Sequence, residues 1–171
     1  GSGVYCSVES AVPRESGLGT SGSIGVALVH ALNILTGSDV LYLDDQSKYT
    51  IASQANTLEN KGLSITSGGQ DQLAAMFGGF NDIAFTAESV TAQAITVPRD
   101  AQSELEKRSL VVYTGRSRVS GENLDRMMKN YSARVSKTLA ALHGIKELGE
   151  EMRNALEQGK VSRVGQLLGT S

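Results

Sequence analysis

Between residues 13 and 23 the chain reads Pro13-Arg14-Glu15-Ser16-Gly17-Leu18-Gly19-Thr20-Ser21-Gly22-Ser23, a run of glycines and hydroxyls. It leads from an expected strand at Val4 to Ser10 into a strongly apolar helix. Glycines let the backbone take positive φ and turn its N–H groups inward, and a helix starting at the hydroxyls adds the positive end of its dipole. Such a loop cradles phosphate, and an oligophosphate is its natural occupant. Gly17-x-Gly19-x-x-Gly22 also satisfies the dinucleotide fingerprint, but Pro13 to Ser16 separate strand from turn, and the repeated short βα alternation of a doubly wound sheet is missing. A lysine-bearing phosphate loop fits worse, because no lysine precedes Lys48. Mononucleotide binding by backbone amides and hydroxyls remains.

Two carboxylates stand out beside this loop. Glu59 lies in the last turn of a helix expected from Ser47 to Asn60, where a negative charge costs roughly 0.3–1 kcal/mol unless a cation compensates. A bound metal is one such cation; solvent exposure or a pairing with Lys61 is the plainer alternative. Gly68-Gly69-Gln70-Asp71-Gln72 is a second glycine bend, which delivers an acid to the start of a short helix ending at Phe77-Gly78-Gly79-Phe80. By itself Asp71 could serve as no more than a helix N-cap. Arg116 and Arg118 follow Leu110 to Tyr113, an apolar run expected to be a buried strand, so each guanidinium is either solvated or placed to grip a phosphate bidentately.

The elements that must position these groups are legible in outline. A helix from Ser21 to Thr36 is apolar nearly all round, which predicts a buried spine stopped by Gly37. Asp44 and Asp45 precede the second helix. The C-terminal third reads as helices at Leu124 to Leu142, Ile145 to Leu156 and Val161 to Leu168, the first capped by Ser120, with apolar spacing that suits core. His30 and His143 lack partners at metal spacing and read as structural, and Cys6 reads as a small core residue on its strand. Gly19-Thr20-Ser21-Gly22-Ser23 is not the G-x-S-x-G of a hydrolase nucleophile.

Composition narrows the partners. The 171 residues are 40% hydrophobic and 20% charged with net charge −2, which describes a soluble globular chain. Sixteen basic against eighteen acidic residues, without a run of either sign, give no footprint for nucleic acid or an anionic membrane surface. A lone cysteine excludes an internal disulfide, and no apolar stretch has transmembrane length, so a cytoplasmic enzyme is expected.

Three blocks in order carry a resemblance. Pro13-x-x-x-Gly17-Leu18-Gly19-Thr20-Ser21, then Gly69-Gln70-Asp71-Gln72-Leu73-Ala74-Ala75-Met76-Phe77-Gly78-Gly79-Phe80-Asn81, then Val112-Tyr113-Thr114-Gly115-Arg116-Ser117-Arg118-Val119-Ser120 together resemble the GHMP superfamily of small-molecule kinases, most nearly its heptose 7-phosphate kinase branch. The resemblance implies that Pro13, Ser16, Gly17, Leu18, Gly19, Thr20, Ser21 and Gly22 hold the ATP phosphates. It implies Mg²⁺ on Ser21, or less readily Thr20, with Glu59 as carboxylate ligand, and Asp71 as the base. Gly69, Gln70, Asp71 and Arg118 would meet the sugar. L-Fucose or another sugar is the alternative acceptor, and a truncated, non-catalytic nucleotide or sugar-phosphate module the alternative class. The implied fold is α/β (α+β), GHMP-kinase-like: a left-handed βαβ, ribosomal-S5-domain-2-like part over residues 1–98, then the start of a helix-rich ferredoxin-like domain over residues 99–171. Kinases of this type resemble longer chains, so this one looks like a central portion, with apolar faces uncovered and self-association expected.

Overall fold

Helix α1 (Thr20–Leu35) starts directly on Gly19, whose left-handed φ of 66° turns the chain into the first helical bond, Ser23 N to Gly19 O at 3.0 Å. The computed structural model describes residues 3–13, 16–37, 43–64, 67–115 and 120–170, the side chains of residues 120–122 excepted. No side chain caps α1, so its first amides stay available at the loop. Its other end closes as expected: Gly37, at φ 82°, donates to Ile34 O at 3.1 Å.

Helix α2 (Asp45–Thr57) is capped by Asp44, whose Oδ1 accepts from Ser47 N at 2.8 Å. It runs on into a π turn, Leu58–Gly62, sealed by a bond from Leu63 N to Leu58 O at 3.1 Å. Helices α1 and α2 pack through Val26, Ile51 and Ala55, flanked by Val29, Leu43 and Met76. Gly25 faces α2, where a methyl would lie in ordinary contact, 3.6 Å from Ala55 Cβ. Helix α3 (Gln70–Phe77) adds buried Leu73. These elements belong to one compact unit, residues 1–76 with 113–122.

The second unit comprises residues 77–112 and 123–171. It opens with an antiparallel hairpin, β1 (Asn81–Phe85) and β2 (Val90–Ala94), in register from Asn81 opposite Ala94 to Phe85 opposite Val90. Thr86 makes the turn, its Oγ1 accepting from Ser89 N at 3.0 Å and Glu88 N at 3.2 Å. Helices α4 (Arg99–Arg108), α5 (Ser120–Ser132), α6 (Ser136–Glu157) and α7 (Val161–Thr170) follow. The core is Val97, Ala101, Ala155, Leu156, Val161, Val164 and Leu167. An ion pair from Arg153 to Asp82, at 3.0 Å, ties α6 to β1.

The expected α/β sheets are not formed: among the described residues the fold is mostly helical, with one two-stranded sheet. Val4 to Ser10 and Leu110 to Tyr113 form no strand, with Tyr5 91% and Leu110 85% exposed. A strand exists only when another backbone accepts its hydrogen bonds, which local sequence does not supply. Cys6 is accordingly exposed, not a core thiol. Helix α1 is buried only at Gly22 and Val26, and Leu35 is 61% exposed, so it is not a spine enclosed on all sides.

The helix expected from Leu124 to Leu142 breaks at Arg134, and the gap expected between Leu142 and Ile145 is helical. Arg134 takes φ 52°, donating to Tyr131 O at 2.9 Å, while Val135 N reaches Asn130 O at 3.0 Å, a Schellman close built on arginine. Gly144 sits inside α6. Both helices keep apolar spacing, so periodicity alone runs straight through the break. Arg116 and Arg118 lie outside the described residues, as does the side chain of Ser120. Among the described residues no helix is long and apolar enough to cross a membrane.

Two stability outcomes follow from these helix ends. Arg134→Gly removes a left-handed penalty of about 1 kcal/mol and should raise the urea midpoint. The hydrogen bonds from Ser47 hold the Asp44 carboxyl below its ordinary value, with Lys48 helping and desolvation opposing. Its folded pKa being depressed, Asp44 stabilises above the unfolded carboxylate range of about 3.9, and that contribution is lost as pH falls through the lower folded value. Urea titrations of Asp44→Ala and the parent should therefore differ at pH 7, and the gap should narrow on strong acidification.

Candidate active site

The amino ends of α1 and α3 meet. A methyl on Gly22 would lie 2.8 Å from Asp71 Cβ, closer than real side chains come, and tightly at 3.1 Å from Asp71 C and 3.2 Å from Gln72 N. A methyl on Gly19 would lie 3.3 Å from Asp71 Cγ, at a backbone φ of 66° that already favours glycine. The phosphate-type loop and the aspartate of the second glycine bend are thus in direct contact, as the sequence reading requires. Asp71 is exposed and sits within the first turn of α3, because Gly69 O accepts the first helical bond, from Leu73 N at 3.2 Å. It is not the cap residue.

The π turn decides what stands behind Asp71. An i→i−5 bond shifts the face that the chain presents, and such turns recur at functional sites. Here it carries Asn60 and Glu59. Asn60 Nδ2 donates to Asn56 O at 2.9 Å, Asn56 Oδ1 at 2.7 Å and Ser67 O at 3.2 Å, and its Oδ1 accepts from Ser67 N at 2.9 Å. That clamp fixes the approach to the Gly68-Gly69 bend. Gly69, buried at φ 85°, comes close to Asn56: a methyl there would lie 3.2 Å from Asn56 Nδ2. Glu59 Oε2 accepts from Gln72 Nε2 at 2.5 Å, and Gln72 also reaches Ser67 Oγ at 3.4 Å. Glu59 is therefore held by an amide, and none of the ion pairs among the described residues joins it to Lys61.

Asn56, Asn60, Ser67 and Gln72 escape a reading confined to charged and glycine positions. A signal existed: Ala52, Asn56 and Asn60 fall at i, i+4 spacing, so two asparagines continue a stripe whose first member is buried. Polar residues on a buried stripe need partners, and these have them.

Three buried oxygens or hydroxyls of the site have no hydrogen-bond partner: Ser16 Oγ, Thr20 Oγ1 and Gln72 Oε1. Leaving such a group unpaired costs about 1–3 kcal/mol, a penalty that a ligand's oxygens or donors would relieve. The oxygen type of the Glu59 carboxylate and of the Ser16 and Thr20 hydroxyls is hard. It suits a small divalent cation that takes its remaining ligands from phosphate and water. Of the two adjacent hydroxyls, Thr20 is the buried, unpartnered one; Ser21 is exposed and makes no hydrogen bond to Glu59 or Asp71 among the described residues. Gly17 turns at φ 79°. Leu18 and Pro13 are exposed on the loop, and Gln70 is exposed beside Asp71. Arg118 lies outside the described residues.

Gly22→Ala forces a methyl against α3 and should cost about 1–3 kcal/mol by overpacking, read as a lower urea midpoint. Gly17→Ala, with open space around it, should cost less and only through its backbone angle.

Residues 1–79 match the family described as GHMP kinases N terminal domain. The chain is 32% identical over 167 residues to the D-glycero-alpha-D-manno-heptose 7-phosphate kinase of Campylobacter jejuni, covering 95% of this chain and 46% of that protein. It is 32% identical over 161 residues to the bifunctional fucokinase/GDP-fucose pyrophosphorylase of Arabidopsis thaliana, covering 92% of this chain and 14% of that protein. With the galactokinase of Pyrococcus furiosus the identity is 28% over 185 residues, 94% of this chain and 49% of that protein. The chain thus spans about half the length of two of these relatives and a smaller part of the third. Residues 1–79 thus belong to the GHMP kinase family as its N-terminal domain, and 92–95% of the chain aligns with part of each of the three kinases named.

Proposed function

We propose that this site transfers a phosphoryl group from ATP to a hydroxyl of a sugar or sugar phosphate, with a heptose 7-phosphate as the acceptor. The observation that carries the reading is the contact of Asp71 with Gly19 and Gly22, which sets a carboxylate at the mouth of an anion cradle. Phosphoryl transfer asks little covalent chemistry of a protein; it asks for positioning, charge stabilisation and a base or orienter for the attacking hydroxyl.

The loop from Pro13 to Gly22 supplies the cradle. Its backbone amides and the uncapped start of α1 hold the phosphates, and the unpartnered hydroxyls of Ser16 and Thr20 gain acceptors there. Glu59, with the Thr20 or Ser21 hydroxyl, would hold Mg²⁺, which when bound neutralises charge on the transferred group. Asp71 orients the sugar hydroxyl and takes its proton. Gly69 and Gln70 line the same bend, and Arg118 is the proposed grip on the acceptor's own phosphate.

A second reading of the acceptor is supported by the relatives: the fucokinase is as similar to this chain as the heptose kinase is. L-Fucose therefore stands as the alternative substrate.

The tests are direct. A coupled ADP-release assay with Mg²⁺ and a panel of heptose 7-phosphate, L-fucose and galactose should show the highest kcat/KM with the heptose. Asp71→Asn should lower turnover by roughly 10² to 10⁴, and equal turnover would remove Asp71 from the role of base. Calorimetric heat with ATP but no ADP from any sugar would identify a binding module and overturn catalysis by this chain.

A further inference from the structure

Gln72 carries more than its neighbours. It is 1% exposed, the one polar residue among the buried side chains described. Its Nε2 donates to Glu59 Oε2 at 2.5 Å and to Ser67 Oγ at 3.4 Å. It follows Asp71 directly, so consecutive residues of one helical turn face the glycine loop and grip Glu59.

We propose that Gln72 is a positioning residue that orients the Glu59 carboxylate toward a divalent cation, making the first turn of α3 the link between base and metal ligand. The inference rests on the reading of Glu59 as a metal ligand and deepens it. Glu59 sits on a π turn at the end of α2, where a carboxylate opposes the helix dipole and its side chain has several rotamers. A single donor from a fully buried amide removes that freedom. The choice of an amide matters: lysine or arginine in its place would fix the carboxylate equally well but cancel the charge a cation needs. Glutamine donates a hydrogen bond and leaves Glu59 anionic, as groups behind metal ligands do. Asn60 and Ser67 brace the arrangement from the other side, because Asn60 pins Ser67 and Ser67 Oγ meets Gln72.

Binding of Mn²⁺ to the chain in the presence of a β,γ-imido ATP analogue, followed by the electron paramagnetic resonance signal of free Mn²⁺, reads this without turnover. Calorimetry of the analogue in EDTA reads nucleotide binding alone. Gln72→Leu should weaken Mn²⁺ binding by roughly 10-fold to 100-fold, with metal-free nucleotide binding little altered. Gln72→Asn, one methylene too short to reach Glu59, should behave alike, and is the variant read if circular dichroism shows that the leucine variant does not fold. Glu59→Gln is the reference. Should it weaken Mn²⁺ binding while both folded Gln72 variants bind as the parent does, the positioning role falls and the metal-ligand reading survives. Should Glu59→Gln itself bind Mn²⁺ as the parent does, both fall together.

Discussion

The site depends on one steric fact: two helix amino ends touch because Gly22 has no side chain. Asp71 Cβ and the Asp71–Gln72 peptide occupy the space that any other residue at position 22 would fill. Close packing of this kind is intolerant, since interiors forgive neither a gap nor an extra methyl. It also concentrates two positive helix ends around one carboxylate, an electrostatic setting that favours anions between them. The glycine loop and the first turn of α3 are thus a single packed object rather than two motifs that happen to be near.

Behind that contact, hydrogen bonds do the positioning that packing does at the front. Asn60 clamps Ser67, Ser67 and Glu59 meet Gln72, and Gln72 is rooted in the helix that carries Asp71. Buried polar networks specify geometry strongly when they are satisfied. The oxygens left unsatisfied here, on Ser16, Thr20 and Gln72, belong to residues of the loop and the helix it contacts, where a ligand would complete them.

Much of the candidate site was legible in the residues. Gly17, Gly19 and Gly69 take the positive φ that their loops suggest, and Gly37 ends α1 as its type suggests. The misses share a cause. Val4 to Ser10 and Leu110 to Tyr113 have strand composition but no pairing partner among the described residues. Arg134 closes a helix in a backbone conformation that arginine does not advertise, while Gly144, which does advertise a stop, lies within a continuous helix. Glu59 meets an amide thirteen residues on, a partner that its own stretch of sequence does not name.

Local sequence determined the groups that carry chemistry and the helices that present them, because loop glycines, cap residues and apolar spacing act within a few residues of themselves. Only the tertiary structure decided which of those groups meet. The fit of Gly22 against Asp71, the bond of Gln72 to Glu59 and the lack of strand pairing at Val4 to Ser10 and Leu110 to Tyr113 depend on residues distant in the chain. Contact, burial and backbone pairing are settled by the partner as much as by the residue, and a sequence names one without the other.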